Sequence, residues 1–180
     1  INHAGVGAGL DLNHVTTQKY TGIFEQLFLV RTLPPWHNNA LKRLTKKPKL
    51  HFLDSGLLAA LTGLTPEKVA ADRSRFGAIL ETFVFSEILK LTGWSDDRFS
   101  LSHFRDKELD EVDIVLEDRD GRIVGLEVKA SATVRSEDFS GLRKLAAATG
   151  QRFAFGAVLY DHEQTIAFGD RLAAAPLSSL

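Results

Sequence analysis

Glu111-Val-Asp-Ile-Val-Leu-Glu117 and Gly125-Leu-Glu-Val-Lys-Ala-Ser131 decide how this chain is read. Each alternates as a half-buried strand does, so Asp113 should share a face with Val115, and Glu127 with Lys129. The link between them, Asp118-Arg-Asp-Gly-Arg122, carries turn chemistry and predicts an antiparallel hairpin. Folding back brings Asp113 toward Glu127 and Lys129. Two hard carboxylates beside an ammonium suit a Mg²⁺ ion next to a phosphate.

Upstream of the hairpin, apolar residues at 100° per residue predict a helix from about Phe76 to Leu91. Phe76, Leu80, Phe83, Val84, Ile88 and Leu91 should form its buried arc, with Thr82, Ser86 and Lys90 opposite. Glu81 and Glu87 fall within or beside that arc, where a carboxylate requires a cation, a metal or a proton. Arg105 is the expected partner of Glu87. Between this helix and the hairpin, Phe99 to Arg105 alternates as a strand. Downstream, Ser136 to Ala148 reads as a helix closed by Gly150, Phe153 to Tyr160 as a buried strand, and Gln164 to Phe168 as a short edge strand. The order helix, three strands, helix, strand predicts an α/β domain over 65–180.

The front differs in charge. Residues 1–64 hold 7 Lys/Arg against 3 Asp/Glu and 65–180 hold 15 against 20, so a net charge of -1 conceals a basic front and an acidic remainder. The excess lies in Leu41-Lys-Arg-Leu-Thr-Lys-Lys-Pro-Lys-Leu50. Lys42, Arg43, Lys46, Lys47 and Lys49 there, with Ser131 after the Lys129 strand, are candidate phosphate contacts; a solvated loop accounts for the charge equally well. A helix from Thr17 to Phe28 carries Tyr20, Ile23, Phe24, Leu27 and Phe28 at helical spacing. A strand over Lys49 to Leu53 then leads into a helix capped at Asp54 or Ser55 and stopped at Gly63. Helix, extended wing and helix resemble part of a winged-helix module, placing a basic segment over 1–64.

With no cysteine, disulfides and thiolate metal sites are excluded. No apolar run is long enough to span a bilayer and no signal pattern opens the chain, so a cytoplasmic setting without membrane contact is expected. A start at Ile1 with no methionine anywhere predicts that the chain is part of a longer protein. His51 and His103 lack a second histidine at ligand spacing and read as ordinary pocket histidines. Trp36 and Phe52 read as core residues before base-stacking ones, and Arg143 and Lys144 as surface charge.

Gly77-Ala-Ile-Leu-Glu81, Val112-Asp113 and Glu127-Val-Lys129, in this order on a helix-strand-strand frame, resemble the PD-(D/E)xK nuclease superfamily, the archaeal Holliday-junction resolvases included. Leu33-Pro-Pro-Trp36, Lys47 to Leu57, Leu80 to Val84 and Glu127 to Ser131 are similar to the C-terminal domain of bacterial AAA-type ATPases. The first resemblance implies a restriction-endonuclease-like core. It also implies a site in which Asp113, Glu127, the Val128 carbonyl and Glu81 hold Mg²⁺ or Mn²⁺ while Lys129 orients or deprotonates the attacking water, with DNA as substrate. Val112 stands where the superfamily name has proline. The second resemblance implies an upstream ATPase module; no G-x-x-x-x-G-K-[ST] occurs in this chain, so it holds no ATP site of that kind. The alternative reading keeps the nuclease fold as a catalytically silent module that binds DNA or protein, or dimerises the ATPase.

Overall fold

The computed structural model describes residues 9–36 and 47–180. Lys42, Arg43 and Lys46 lie outside the described residues. Helix α1 (His14–Gln26) is capped by Asn13, whose side chain accepts from the Thr16 amide. Strands β1 (Val30–Leu33) and β2 (Lys49–Phe52) pair antiparallel as a separate ribbon. Then come α2 (Ser55–Thr62), α3 (Pro66–Ala71) and the long α4 (Gly77–Trp94). As the sequence indicates, Asp54 caps α2 and Gly63, at φ 61°, stops it. Strands β3 (Ser100–Arg105), β4 (Glu111–Glu117) and β5 (Ile123–Lys129) precede α5 (Ser140–Thr149), followed by β6 (Phe153–Tyr160), β7 (Ile166–Gly169) and β8 (Leu172–Pro176).

The architecture is mixed α/β. Six strands form one sheet in the order β3-β4-β5-β6-β8-β7. The β3-β4-β5 meander is antiparallel, β5-β6-β8 is parallel, and β7 returns antiparallel at the edge. The parallel step from β5 to β6 is what α5 bridges, since parallel neighbours need a crossover. Strands β1 and β8 have no counterpart in the sequence reading. Val30–Leu33 is short, and Leu172-Ala-Ala-Ala-Pro176 alternates nothing, because β8 is buried between β6 and β7.

Each face of the sheet has its own core. On one side α4 packs Val84, Phe85 and Ile88 against Ile114, Leu126, Ala157 and Leu159, and Leu33 of the ribbon joins them. On the other, α5 packs Leu142 and Leu145 against Val112, Val115, Ile123 and Val158, and Trp36 joins Phe104 there. Gly125 lets α5 settle, since a Cβ there would stand 2.6 Å from a Leu142 methyl, and Gly156 makes room within the sheet, where a Cβ would stand 2.8 Å from a Leu172 methyl of β8.

The arc read for α4 is rotated in the structure. Thr82 and Phe85 are buried, while Phe83 and Leu91 are 39% and 47% exposed. The helix is apolar nearly all round, so its sequence period does not pick out one face. Glu87 pairs with Lys90 one turn on, and Arg105 pairs with Glu111, correcting the expected Glu87–Arg105 contact. On α1, Tyr20, Ile23, Phe24, Leu27 and Phe28 take helical spacing, or follow directly on the helix, but stay exposed.

Candidate functional site

The site is built around a register shift. Ser102 of β3 pairs with Val115 of β4, but Phe104, two residues on, pairs with Val112, three residues back. Strand β4 therefore carries one extra residue at Asp113–Ile114, opposite His103. Val112 and Val115 both belong to the α5-side core, whereas Ile114 belongs to the α4 side. Asp113 consequently does not share the Val115 face, contrary to the simple alternation; it is aimed toward Glu81 on α4.

Between those two acids lies Lys49. Its Nζ is 2.7 Å from Asp113 Oδ1 and 2.8 Å from Glu81 Oε1. The second Asp113 oxygen, Oδ2, accepts the Val128 amide at 2.9 Å, so Asp113 is 4% exposed and fully engaged. Burial alone would lower the Lys49 pKa, but the Asp113 and Glu81 charges outweigh it and hold the ammonium above its ordinary value. Burial, then the Asp113 charge, pushes Glu81 upward against the pull of Lys49.

The ribbon delivers Lys49. Leu33 pairs with Lys49 at the ribbon end, and the next residues, Pro34 to Trp36, add themselves to the β3 edge: the His103 amide donates to Pro34 O at 2.9 Å and the Trp36 amide to His103 O at 2.7 Å. Trp36 Nε1 donates to Glu117 Oε2. Pro34-Pro35 reads as the end of regular structure, yet it is where the front segment is stitched to the sheet. His51, on the same strand as Lys49, stacks on Phe85 with ring centroids 4.4 Å apart. Its Nε2 is buried without a hydrogen bond, 3.8 Å from Glu81 Oε1. Burial and the nearby Lys49 charge lower both His51 and His103 to about 4, so both are neutral at pH 7. His103 Nε2 is bonded to Lys47 O at 3.1 Å, and its Nδ1 is buried and unpaired.

Glu127 and Lys129 project from β5 beside this cluster. Lys129 Nζ is 3.0 Å from Glu127 Oε1 and 3.9 Å from Asp138. The other oxygen, Glu127 Oε2, is buried with no hydrogen-bond partner among the described residues. Burial and then the Asp113 charge push the Glu127 carboxyl up to about 8, against the pull of Lys129. Burial would lower Lys129, but Glu127 and Asp138 raise it, so it stays an ammonium at neutral pH.

The structure thus places Glu81 and Asp113 around Lys49, and Glu127 and Lys129 as a separate ion pair at the end of β5, with the Asp113 charge felt by both of the latter. The oxygens of Glu81, Asp113 and Glu127 are not all within 4.8 Å of one another. Among the described residues the one trio of metal-competent groups that close is Asp106, Glu108 and Asp110, and Lys144 pairs with all three. Lys144, read as surface charge, therefore pins the β3–β4 turn. Ser131 Oγ bonds Thr133, and Lys47 contributes its carbonyl to His103. A 570 Å³ hollow lined by Tyr160, Asp161, His162, Glu163, Gln164, Leu177 and Ser178 holds none of the predicted site residues, whereas Ser131 lines a second hollow with Arg73, Ser74, Ala130 and Ala132. Sequence reasoning missed the role of Lys49. Its signal is a lysine two residues before a histidine on a strand leading into an Asp cap, but the basic run around it points the sequence reading to phosphate contact rather than to the acids.

Residues 76–180, which carry α4, the whole six-strand sheet and all four predicted acids and bases, three of them on strands, match the model of the "Domain of unknown function (DUF4143)". This chain belongs to the DUF4143 family. A second model, "Domain of unknown function (DUF8612)", matches residues 1–68 ahead of the DUF4143 region. Uncharacterized proteins of Mycobacterium bovis and Mycobacterium tuberculosis are each 28% identical over 179 residues, 98% of this chain. The chain spans 38% of the length of these relatives. No solved structure matches. No helix among the described residues of this DUF4143 protein is long and apolar enough to cross a membrane.

Proposed function

We propose that this chain is a nuclease-like module with a restriction-endonuclease-like core, hydrolysing DNA phosphodiester bonds with a divalent cation, and that it works as the C-terminal part of an AAA-type ATPase. The carrying observation is the buried Glu127 Oε2, an acidic oxygen with no hydrogen-bond partner among the described residues, near enough to Asp113 and Lys129 to feel both charges. An orphaned carboxylate of that kind is costly unless a cation completes it. With Glu127 ionised, Lys49 and Lys129 would set two positive charges against three carboxylates, so without a metal the carboxyl, pushed up to about 8, keeps a proton whose place a divalent cation would take.

The donor set fits Mg²⁺ or Mn²⁺, which take carboxylate oxygens and keep several waters. Asp113 and Glu127 would hold the ion, with Glu81 and the Val128 carbonyl completing its surroundings. When bound, the ion supplies Lewis-acid polarisation of a phosphoryl oxygen and an acidified water. Asp113 is oriented for this by the Val128 amide. Lys129, held as an ammonium by Glu127 and Asp138, stabilises charge on the phosphoryl oxygens and does not act as the base that deprotonates water. Attack by water on phosphorus breaks one P–O bond, leaving a phosphate monoester and an alcohol. The basic run from Lys42 to Lys49 gives the DNA backbone an electrostatic foothold.

One observation favours a second reading, a silent DNA- or protein-binding module: Lys49 satisfies Asp113 and Glu81 without any metal. Incubation of labelled duplex, single-stranded and four-way-junction DNA with the full-length protein in Mg²⁺ or Mn²⁺ separates the two. Cutting that both Asp113→Ala and Lys129→Ala abolish supports the nuclease; DNA retained on the protein without cutting selects the silent module.

A further inference from the structure

Nothing in the nuclease reading uses Lys49 beyond general phosphate contact, yet among the described residues it is the lysine that pairs with both Glu81 and Asp113. Its ammonium takes Asp113 Oδ1 and Glu81 Oε1 at 2.7 and 2.8 Å, and the remaining Asp113 oxygen is already committed to the Val128 amide. An incoming divalent ion that needs Asp113 therefore finds its free oxygen occupied. We infer that Lys49 is a positioning residue of this site, a resident counter-cation that must leave Asp113 and Glu81 before a divalent ion can take them.

The inference rests on the metal-site reading above. Three further features carry it. Lys49 does not come from the sheet or α4 but from the end of the β1–β2 ribbon, so it can withdraw without unpairing β4 or β5. Its side chain is 20% exposed, so the ammonium has a path to solvent along its own stem. Finally, one ammonium replaces only part of what the cluster lacks, because Glu127 Oε2 stays unpaired with Lys49 in place. A phosphate approaching along the basic run offers the displaced ammonium a new anion. Metal and nucleic acid should then help each other bind, since each removes an obstacle for the other.

The test measures Mn²⁺ affinity directly, by loss of the free-ion EPR signal, for the parent protein, Lys49→Met and Asp113→Asn. Removing the competing charge should tighten Mn²⁺ binding about tenfold or more. Because Lys49→Met leaves two facing carboxylates and some preparations could lose the fold, the parent is followed in parallel with ¹⁵N-labelled lysine. The half-buried, hydrogen-bonded Lys49 Nζ signal should collapse into the rapidly exchanging pool as Mg²⁺ is added. If Lys49→Met binds Mn²⁺ no tighter than the parent while Asp113→Asn abolishes binding, the metal site stands and the role of Lys49 is overturned. An unmoved Nζ signal in a parent that binds Mn²⁺ overturns it equally. If neither parent nor Lys49→Met binds Mn²⁺, the metal reading itself falls and takes this inference with it.

Discussion

Gly141 offers a sharp test of how α5 holds the site in place. An ideal Cβ at this position would stand 2.0 Å from the carbonyl oxygen of Glu111, 2.7 Å from its carbon and 3.2 Å from its nitrogen. Ordinary carbon–oxygen contact needs more than about 3 Å, so Gly141→Ala forces roughly an ångström of separation between α5 and β4. The obstacle is backbone on both sides. It cannot be relieved by a rotamer, and Leu142 and Leu145 next to it are fully buried. Overpacking costs about 1–3 kcal/mol, and the upper end applies when no side chain can yield. Alanine regains about 0.5–1 kcal/mol of helix preference. The net, about 2 kcal/mol, corresponds to a fall in Tm of roughly 4–8 °C for a chain of this length. Gly93→Ala is the matched control: it too is helical, but nothing lies within 4 Å of its added methyl. It should gain about 0.5–1 kcal/mol, or about 1–4 °C. Thermal unfolding followed by circular dichroism measures both. A Gly141→Ala protein that melts within 2 °C of the parent, or above it, would refute the reasoning. Since Glu111 opens β4 two residues before Asp113, the same variant should also loosen the Asp113–Lys49 contact.

Two pH-dependent outcomes follow from the buried groups. His51 and His103 are held near 4 in the folded protein, so their contribution is intact above about 6.5 and is lost as pH falls toward 4; each is worth up to about 3 kcal/mol. Urea titrations between pH 4 and 7 should show this acid limb, and His51→Gln should flatten it; a limb unchanged by the substitution contradicts the assignment. Glu127 has the opposite sign: its folded pKa is raised, so its contribution is present below about 4.5 and is lost as pH rises through 8. Glu127→Gln should therefore gain stability over the parent with increasing pH from 5 to 8.5 in metal-free buffer, and a pH-independent difference would count against a buried, cation-starved carboxyl.

The parts of the fold that were legible in the sequence are those where local chemistry acts alone. Asp54 and Gly63 bound α2, Asp118 to Gly121 turns the hairpin, and Phe153 to Tyr160 is a continuous apolar run whose residues from Gly156 on are buried. Tertiary decisions were not legible. The extra residue in β4 depends on pairing with β3, so no window of β4 alone reveals that Asp113 and Val115 point apart. The rotation of α4 is chosen by the sheet, since Phe83 and Phe85 are equally apolar but only Phe85 meets His51 and the sheet. The partnership of Lys49 with Glu81 and Asp113 spans 32 and 64 residues of chain. Charge density along a sequence cannot distinguish a lysine that faces water from one that is drawn inward.

The stitching of Pro34 to Trp36 onto the β3 edge has a consequence for how the protein is divided. The two family models meet between residues 68 and 76, yet the ionic cluster takes Lys49 from one side of that seam and Glu81 and Asp113 from the other. Leu33 and Trp36, from the same front portion, fill both cores of the sheet that follows. A cut at the seam would thus leave two acids without their counter-charge and two hydrophobic sockets without their plugs. Two family models divide the chain here, but ion pairs and buried side chains run across the division.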